Sequence, residues 1–199
     1  TWRRDGTGRH HVMPIDIATG TDVLTPDDLM AGKRPRGRDV VIFDDDHYYM
    51  GGVLAELLRK DGYAVTLVTP AALASFFTKA SLEQAVIQNR LLTLDVKIEA
   101  NQAVSAIAPD HAVLECVFTG RKTSLSCSSA VLVTARNPCD GLYHDLLKAG
   151  LAASRAGDCY GPATIAAAVH SGRRFAEDFG NPPRDHLELP FRREVTALT

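Results

Sequence analysis

The stretch DVVIFDDDHYYMGGVLAELLRK, residues 39–60, decides the fold. Its residues 40–43, VVIF, form a continuous apolar run, the pattern of a strand covered on both faces. The spacing predicts a helix over 49–60, broken by Gly62, and YAVTLVT at 63–69 reads as a second strand. Strand, tight turn, helix and strand in this order open a dinucleotide-type α/β fold.

In a working dinucleotide site that first turn carries three glycines. One makes the turn, one lets the pyrophosphate approach, and one lets helix meet strand. On that spacing the three positions here hold Asp44, Asp46 and Tyr49. Asp46 puts a carboxylate where a phosphate would sit, and Asp44 and Asp45 add to the repulsion. The acid expected at the end of the second strand for ribose hydroxyls is replaced by Thr69, followed by Pro70. The fold signal is therefore present without its NAD(P)-binding signal. The three acids are expected to complement the helix N-terminus rather than hold a divalent cation. His47 is expected to be a polar helix-start residue, and Tyr48 and Tyr49 to pack against a neighbouring domain or sheet edge.

Toward the C-terminus, Ser81 is expected to cap a helix running to about Leu92. Short strands follow at 96–99, 103–108, 112–118 and 123–126, separated by APDH and FTGRK turns. SSAVLVTAR, 128–136, brings back an apolar core strand. This predicts a mostly parallel sheet with a small antiparallel β-meander flap. Beyond it, LYHDLLKAG at 142–150 reads as an amphipathic helix stopped by Gly150, and 151–158 as a weak strand or loop. PATIAAAVHSGRRFAEDF at 162–179 reads as a helix with Pro162 close to its start and small residues that allow close approach of another element. The tail 181–199 is proline-rich and is expected to lie over the surface or dock on a neighbour.

Toward the N-terminus, TWRRDGTG reads as a strand end and a hairpin-like turn, and 14–20 as a loop. TPDDLMAG, 25–32, is a short helix with Thr25 as N-cap, Pro26 at its first position, Asp27 and Asp28 facing its positive end and Gly32 as its stop. The basic turn KRPRGR, 33–38, is expected to be solvated surface. Thr1 has no methionine before it and the first unit looks cut through, so an excised domain or fragment is expected.

The 199 residues are 45% hydrophobic and 23% charged, which excludes a disordered chain. A net charge of −2 implies no nucleic-acid or anionic-membrane partner, and no apolar run is long enough to span a bilayer. The start shows no apolar core of a signal peptide. Cys116, Cys127, Cys139 and Cys159 form no CxxC pair, so neither a metal cluster within the chain nor a disulfide scaffold is expected, and a reducing cytoplasm is. In RAGDCYGPATIAAAVHSGRRFAEDF, Gly157 and Asp158 precede an alanine-rich helix, an arrangement that aims a helix N-terminus at a cofactor phosphate or ribityl chain while the Asp accepts from a hydroxyl. A plain Asp cap on a packed helix is the alternative.

Together these segments resemble the C-terminal part of the trimethylamine and dimethylamine dehydrogenase group, within the NADH:flavin oxidoreductase and dienoyl-CoA reductase family. The resemblance runs through TWRRDGTG, residues 24–69, AVLVTARNP, GDCYGPATIAAAVHSGRRFAEDF and the final NPP and FRRE segments. It implies a partial FAD-like domain wrapped around a complete NAD(P)-like one. On it, 1–35 is FAD-like segment and linker, 36–135 the NAD(P)-like Rossmann domain with a degenerate glycine motif, 136–180 the closing FAD-like segment and 181–199 the tail. It implies cofactor contact at Gly157, Asp158, Ala163 and Thr164, the last two in the first turn of their helix, with ADP as the ligand. Ala135 stands where the family's return strand usually has Gly. The resemblance also implies an upstream TIM barrel holding FMN and a [4Fe–4S] cluster, an electron-transferring flavoprotein as acceptor, a homo-oligomer, and oxidation of a secondary or tertiary amine, with no catalytic residue in this chain. A dienoyl-CoA or enoate reductase parent binding NADPH, and a ligand-free scaffold, stay open as alternatives.

Overall fold

The computed structural model describes residues 1–180. They fall into two compact units, Trp2–Arg136, and Thr1 with the residues from Asn137 onward. The tail at 181–199 lies outside the described residues.

The larger unit is a mixed α/β fold built on a five-stranded, all-parallel sheet. Its strands are β2 (Val23–Leu24), β3 (Asp39–Asp44), β4 (Ala64–Thr69), β5 (Lys97–Ala100) and β9 (Ser129–Val133). They lie in the order β2-β9-β3-β4-β5, a Rossmann-like arrangement. From β3 the chain winds outward to β4 and β5, then returns to insert β9 on the other side of β3. The order therefore reverses between β3 and β9.

The alternation of side chains along these strands makes two cores. Val40 and Ile42 of β3, Val65 and Leu67 of β4, and Val131 and Val133 of β9 pack in one cluster with Leu54, Ala55 and Leu58. Those last three belong to α2 (Tyr49–Lys60), which Gly62 follows with φ +86°. Leu91 of α3 (Gln84–Thr93) joins the same cluster. Val41, Phe43, Val68, Ala130 and Leu132 point the other way, into a second cluster with Val104, Ala112 and Leu114. Those three come from a second sheet, in the order β1-β6-β7-β8, made of β1 (Asp16–Ile17), β6 (Gln102–Ile107), β7 (His111–Cys116) and β8 (Lys122–Ser126). Helices, parallel sheet and second sheet are thus three layers, and β3 is buried on both faces as its apolar run requires.

Several expectations are corrected. Residues 14–20 are not all loop: β1 pairs in parallel with β6. A second short strand, β2, pairs in parallel with β9. Two residues are too few to show a period. The opening segment makes no hairpin; its bridge pairs Trp2 with Arg136, and Gly6, at φ +76°, sits where the chain bends back so that Ile15 donates to the Asp5 carbonyl at 2.9 Å. Ser81 does not cap α3: Glu83 holds that place, after a 3-10 turn at Phe76–Lys79. In α1 (Pro26–Met30), Thr25 is the N-cap as expected, but Asp28 does more than face the helix dipole. Its carboxylate accepts from the Thr25 amide at 2.9 Å and hydroxyl at 3.0 Å, and pairs with Arg4 at 2.6 Å and Lys33 at 2.7 Å. These partners hold its pKa well below the usual carboxylate range in spite of burial.

The smaller unit holds α4 (Gly141–Lys148), a 3-10 turn at Gly157–Cys159 and α5 (Ile165–Asp178). Among the described residues, neither α4 nor α5 buries a single residue. No helix among the described residues is long and apolar enough to cross a membrane.

Candidate functional site

In open α/β sheets ligands bind outside the carboxyl ends of the strands, where the order reverses. Here that crevice lies at the ends of β3 and β9. Asp44, Asp45, Asp46 and His47 are all buried there, with Asp44 fully so. The alternation of β3 sends Asp44 to the same face as Val40 and Ile42, toward α2. One Asp44 oxygen accepts from the His47 amide at 3.1 Å, while Oδ2 is buried with no hydrogen-bond partner. Burial pushes the Asp44 carboxyl up to about 7, with Asp45 and Asp46 adding to the rise and His47 opposing it. Burial also raises the Asp46 pKa, against the pull of Arg136 and Arg9. Arg136 stands 3.5 Å from Asp46 Oδ1 and stacks over Trp2 at 4.9 Å.

The acids do not cap α2. Tyr48 is at the N-cap position and makes no side-chain cap bond. His47 takes a left-handed backbone, φ +64°, and its ring reaches the Thr69 hydroxyl at 3.3 Å and the edge of Phe77 at 5.4 Å. Thr69 thus spends its side chain on His47 and on the Ala71 amide, at the position where a ribose-binding acid is absent. Tyr48 packs on Phe77 at 5.2 Å; Tyr49 is 44% exposed and bonds Ser81 at 3.2 Å and Glu83. All three partners lie within the same unit.

The residue that lets helix meet strand is Gly51, two positions beyond Tyr49. A Cβ there would stand 2.5 Å from Asp44 Cγ. Gly52 is less constrained: a Cβ there would stand 3.3 Å from Ile87 Cγ2 and 3.4 Å from Ser75 Oγ. The spacing of the glycine fingerprint hid this. The signal that could have found it is the Gly-Gly pair itself, which costs about 1 kcal/mol per residue inside a helix and so marks a packing need.

The N-terminal segment also reaches the crevice, which the sequence did not reveal. The His10 amide donates to Asp45 Oδ2 at 2.9 Å, and a Cβ on Gly8 would stand 2.2 Å from that same oxygen. His11 is partly buried, and burial lowers its pKa.

The four residues expected to contact a cofactor lie together in the smaller unit. Gly157 opens the 3-10 turn at φ +67° and its amide donates to Ser171 on α5 at 3.0 Å. Asp158 is exposed and accepts from the Ala163 amide at 3.4 Å. Thr164 is the N-cap of α5, accepting from the Ala167 amide at 3.4 Å. Ala163 and Thr164 thus precede the helix instead of forming its first turn, because Thr164 keeps an extended backbone, ψ 162°. Nearby, Arg155, Tyr160, Ser171, Arg174, Phe175 and Asp178 line an open cleft of about 210 Å³. No group of three or more His, Cys, Asp or Glu side chains among the described residues is placed to hold a metal ion.

Comparison with known proteins agrees with this fold. The family described as the OYE-like second alpha/beta domain matches residues 24–131. The chain is 28% identical to dimethylamine dehydrogenase of Hyphomicrobium sp. (strain x), over 98% of this chain and 30% of that protein. It is 41% identical to histamine dehydrogenase from Rhizobium sp. 4-9, with a TM-score of 0.86 over 100% of this chain and 32% of the other. Against 6-hydroxypseudooxynicotine amine oxidase from Pseudomonas geniculata N1 it is 35% identical, TM-score 0.82, over 90% of this chain and 28% of the other. The chain spans about a third of the length of these relatives. The chain is thus homologous to dimethylamine and histamine dehydrogenase, and it belongs to the OYE-like second alpha/beta domain family.

Proposed function

We propose that this chain is the C-terminal, nucleotide-fold portion of a flavin and iron–sulfur amine dehydrogenase. The parent oxidises a secondary or tertiary amine by passing hydride equivalents from an N-methyl carbon to FMN in an upstream barrel, with a [4Fe–4S] cluster carrying electrons to an electron-transferring flavoprotein. The relatives' names support the amine: one is a dimethylamine dehydrogenase, one a histamine dehydrogenase and one an amine oxidase. Residues 1–35 and 136–180 are segments of an FAD-like domain around the NAD(P)-like 36–135, and this portion does no redox chemistry itself.

The observation that carries this reading is α5, 14 residues long with none of the described ones buried. Ile165, Val169 and Phe175 are exposed on it. An isolated helix of this length is marginal in water, and helical stability comes from burying an apolar face. A place inside a larger FAD-like domain supplies that cover. ADP is the ligand we assign to the smaller unit. The exposed Asp158 carboxylate, six residues before the Thr164 N-cap, fits a ribose-hydroxyl acceptor beside the positive end of α5. In the larger unit, three buried acids and the absence of an acid at Thr69 oppose NADH and NADPH, which weighs against a reductase parent.

Native mass spectrometry of the full-length parent with ADP, NADH and NADPH tests the assignment. ADP binding that Asp158→Ala weakens, with both dinucleotides silent, is expected. Tight NADPH binding would overturn it.

A further inference from the structure

The crevice at the ends of β3 and β9 is not open. Residues 7–11 run across it. At the β9 side, the Ala135 amide donates to the Thr7 carbonyl at 3.0 Å, and a Cβ on Gly8 would stand 3.3 Å from Thr134 Cβ. At the β3 side, Gly8 packs its bare Cα against the Asp45 carboxylate, and the His10 amide donates to Asp45 Oδ2 at 2.9 Å. The segment closes on itself there, the Gly8 amide donating to the His11 carbonyl at 2.8 Å. Beyond β3, the His11 ring lies 6.1 Å from that of Phe43, and the Arg9 guanidinium sits 5.1 Å over Phe77 in the 3-10 turn after β4. This path, from the end of β9 over β3 toward β4, is the one a dinucleotide takes across such a sheet.

The contacts also match a dinucleotide site in kind, with the roles of chain and ligand exchanged. A bound pyrophosphate is an anion that accepts from backbone amides and needs a glycine for close approach. Here the anion is the Asp45 carboxylate of the sheet, the amide is that of His10, and the close-approach glycine is Gly8 on the incoming segment. We propose that residues 7–11 are a built-in occupant of the dinucleotide crevice, latched by Asp45 to the His10 amide and seated by Gly8. The crevice is then closed by the chain's own backbone, and the lost glycines at Asp44, Asp46 and Tyr49 are not the sole barrier. This deepens the reading that the larger unit takes no dinucleotide. Its test is read on the segment itself, so it can fail while that reading stands.

Amide hydrogen exchange on the full chain is the experiment. The His10 amide should be protected in the wild type even though its side chain is exposed. Asp45→Ala should speed its exchange about ten- to a hundredfold, the range for a lost bond to a charged acceptor, while Ile42 in β3 keeps its rate. Asp45→Asn, which retains an acceptor oxygen, should restore most of the protection. Exchange of His10 at the rate of a free loop in the wild type, or no change in Asp45→Ala with Ile42 still protected, would overturn the latch. A second measurement titrates NADH into the Asp44→Gly/Asp46→Gly/Tyr49→Gly chain. No binding while His10 stays protected is expected; binding with His10 still protected would overturn the proposal.

Discussion

The Asp44 carboxyl lies directly against the backbone of Gly51: a Cβ on Gly51 would stand 2.5 Å from Asp44 Cγ and 2.6 Å from Oδ2. The end of β3 and the first turn of α2 are thereby joined through a contact that only glycine allows. Asp44 is fully buried, so displacing its carboxyl means pushing into a close-packed interior.

Gly51→Ala should destabilise the chain by about 1–3 kcal/mol, as overpacking does in a filled interior. Gly172, in α5, has nothing within 4 Å of a Cβ, so Gly172→Ala should stabilise by about 0.5–1 kcal/mol through helix propensity alone. Urea denaturation of both variants checks the opposite signs. Equal effects would show that the space at Gly51 does not matter.

The raised Asp44 pKa sets a pH dependence. The native state holds a proton that the unfolded state releases between pH 3.8 and about 7. Stability from this group is complete below pH 3.8 and is lost as pH rises toward 7. Asp44→Asn, a permanent mimic of the protonated form, should match the wild type near pH 4 and exceed it in melting temperature above pH 7. A difference that does not vary with pH would refute the assignment.

Asp28 has the opposite sign. Its lowered pKa means that its contribution is present above pH 3.8 and lost as pH falls below that value. Asp28→Ala should cost about 2–4 kcal/mol at pH 7, because Thr25, Arg4 and Lys33 lose a buried acceptor together. It should also flatten the acid limb of the stability curve, measured by denaturant midpoints at pH 3 and pH 7.

Two thiols should separate in reactivity. A hydrogen bond with Thr119 and backbone bonds lower the Cys116 pKa, while burial pushes Cys127 up to about 11. Iodoacetamide at pH 8 should alkylate Cys116 well before Cys127, as read by peptide mass spectrometry. Equal rates would place Cys127 in solvent.

Much of the larger unit was legible in the sequence for a local reason. VVIF and YAVTLVT carry their burial in consecutive residues, and the 49–60 helix matches its observed bounds because its apolar positions and Gly62 stop lie within one segment. The loss of the glycine fingerprint was legible for the same reason. Tertiary structure alone decided what takes its place. His10 and Asp45 are 35 positions apart and Trp2 pairs with Arg136, so no window of sequence contains either contact. The two-residue strands β1 and β2 exist because β6 and β9 offer them an edge, not through any pattern of their own. Gly51 reads as a helix weakness until the face of β3 that carries Asp44 is known. Side-chain alternation, written in the residues themselves, determined which atoms would be buried. Strand order, which closes long loops at an entropic cost that only non-local contacts repay, decided what they would be buried against.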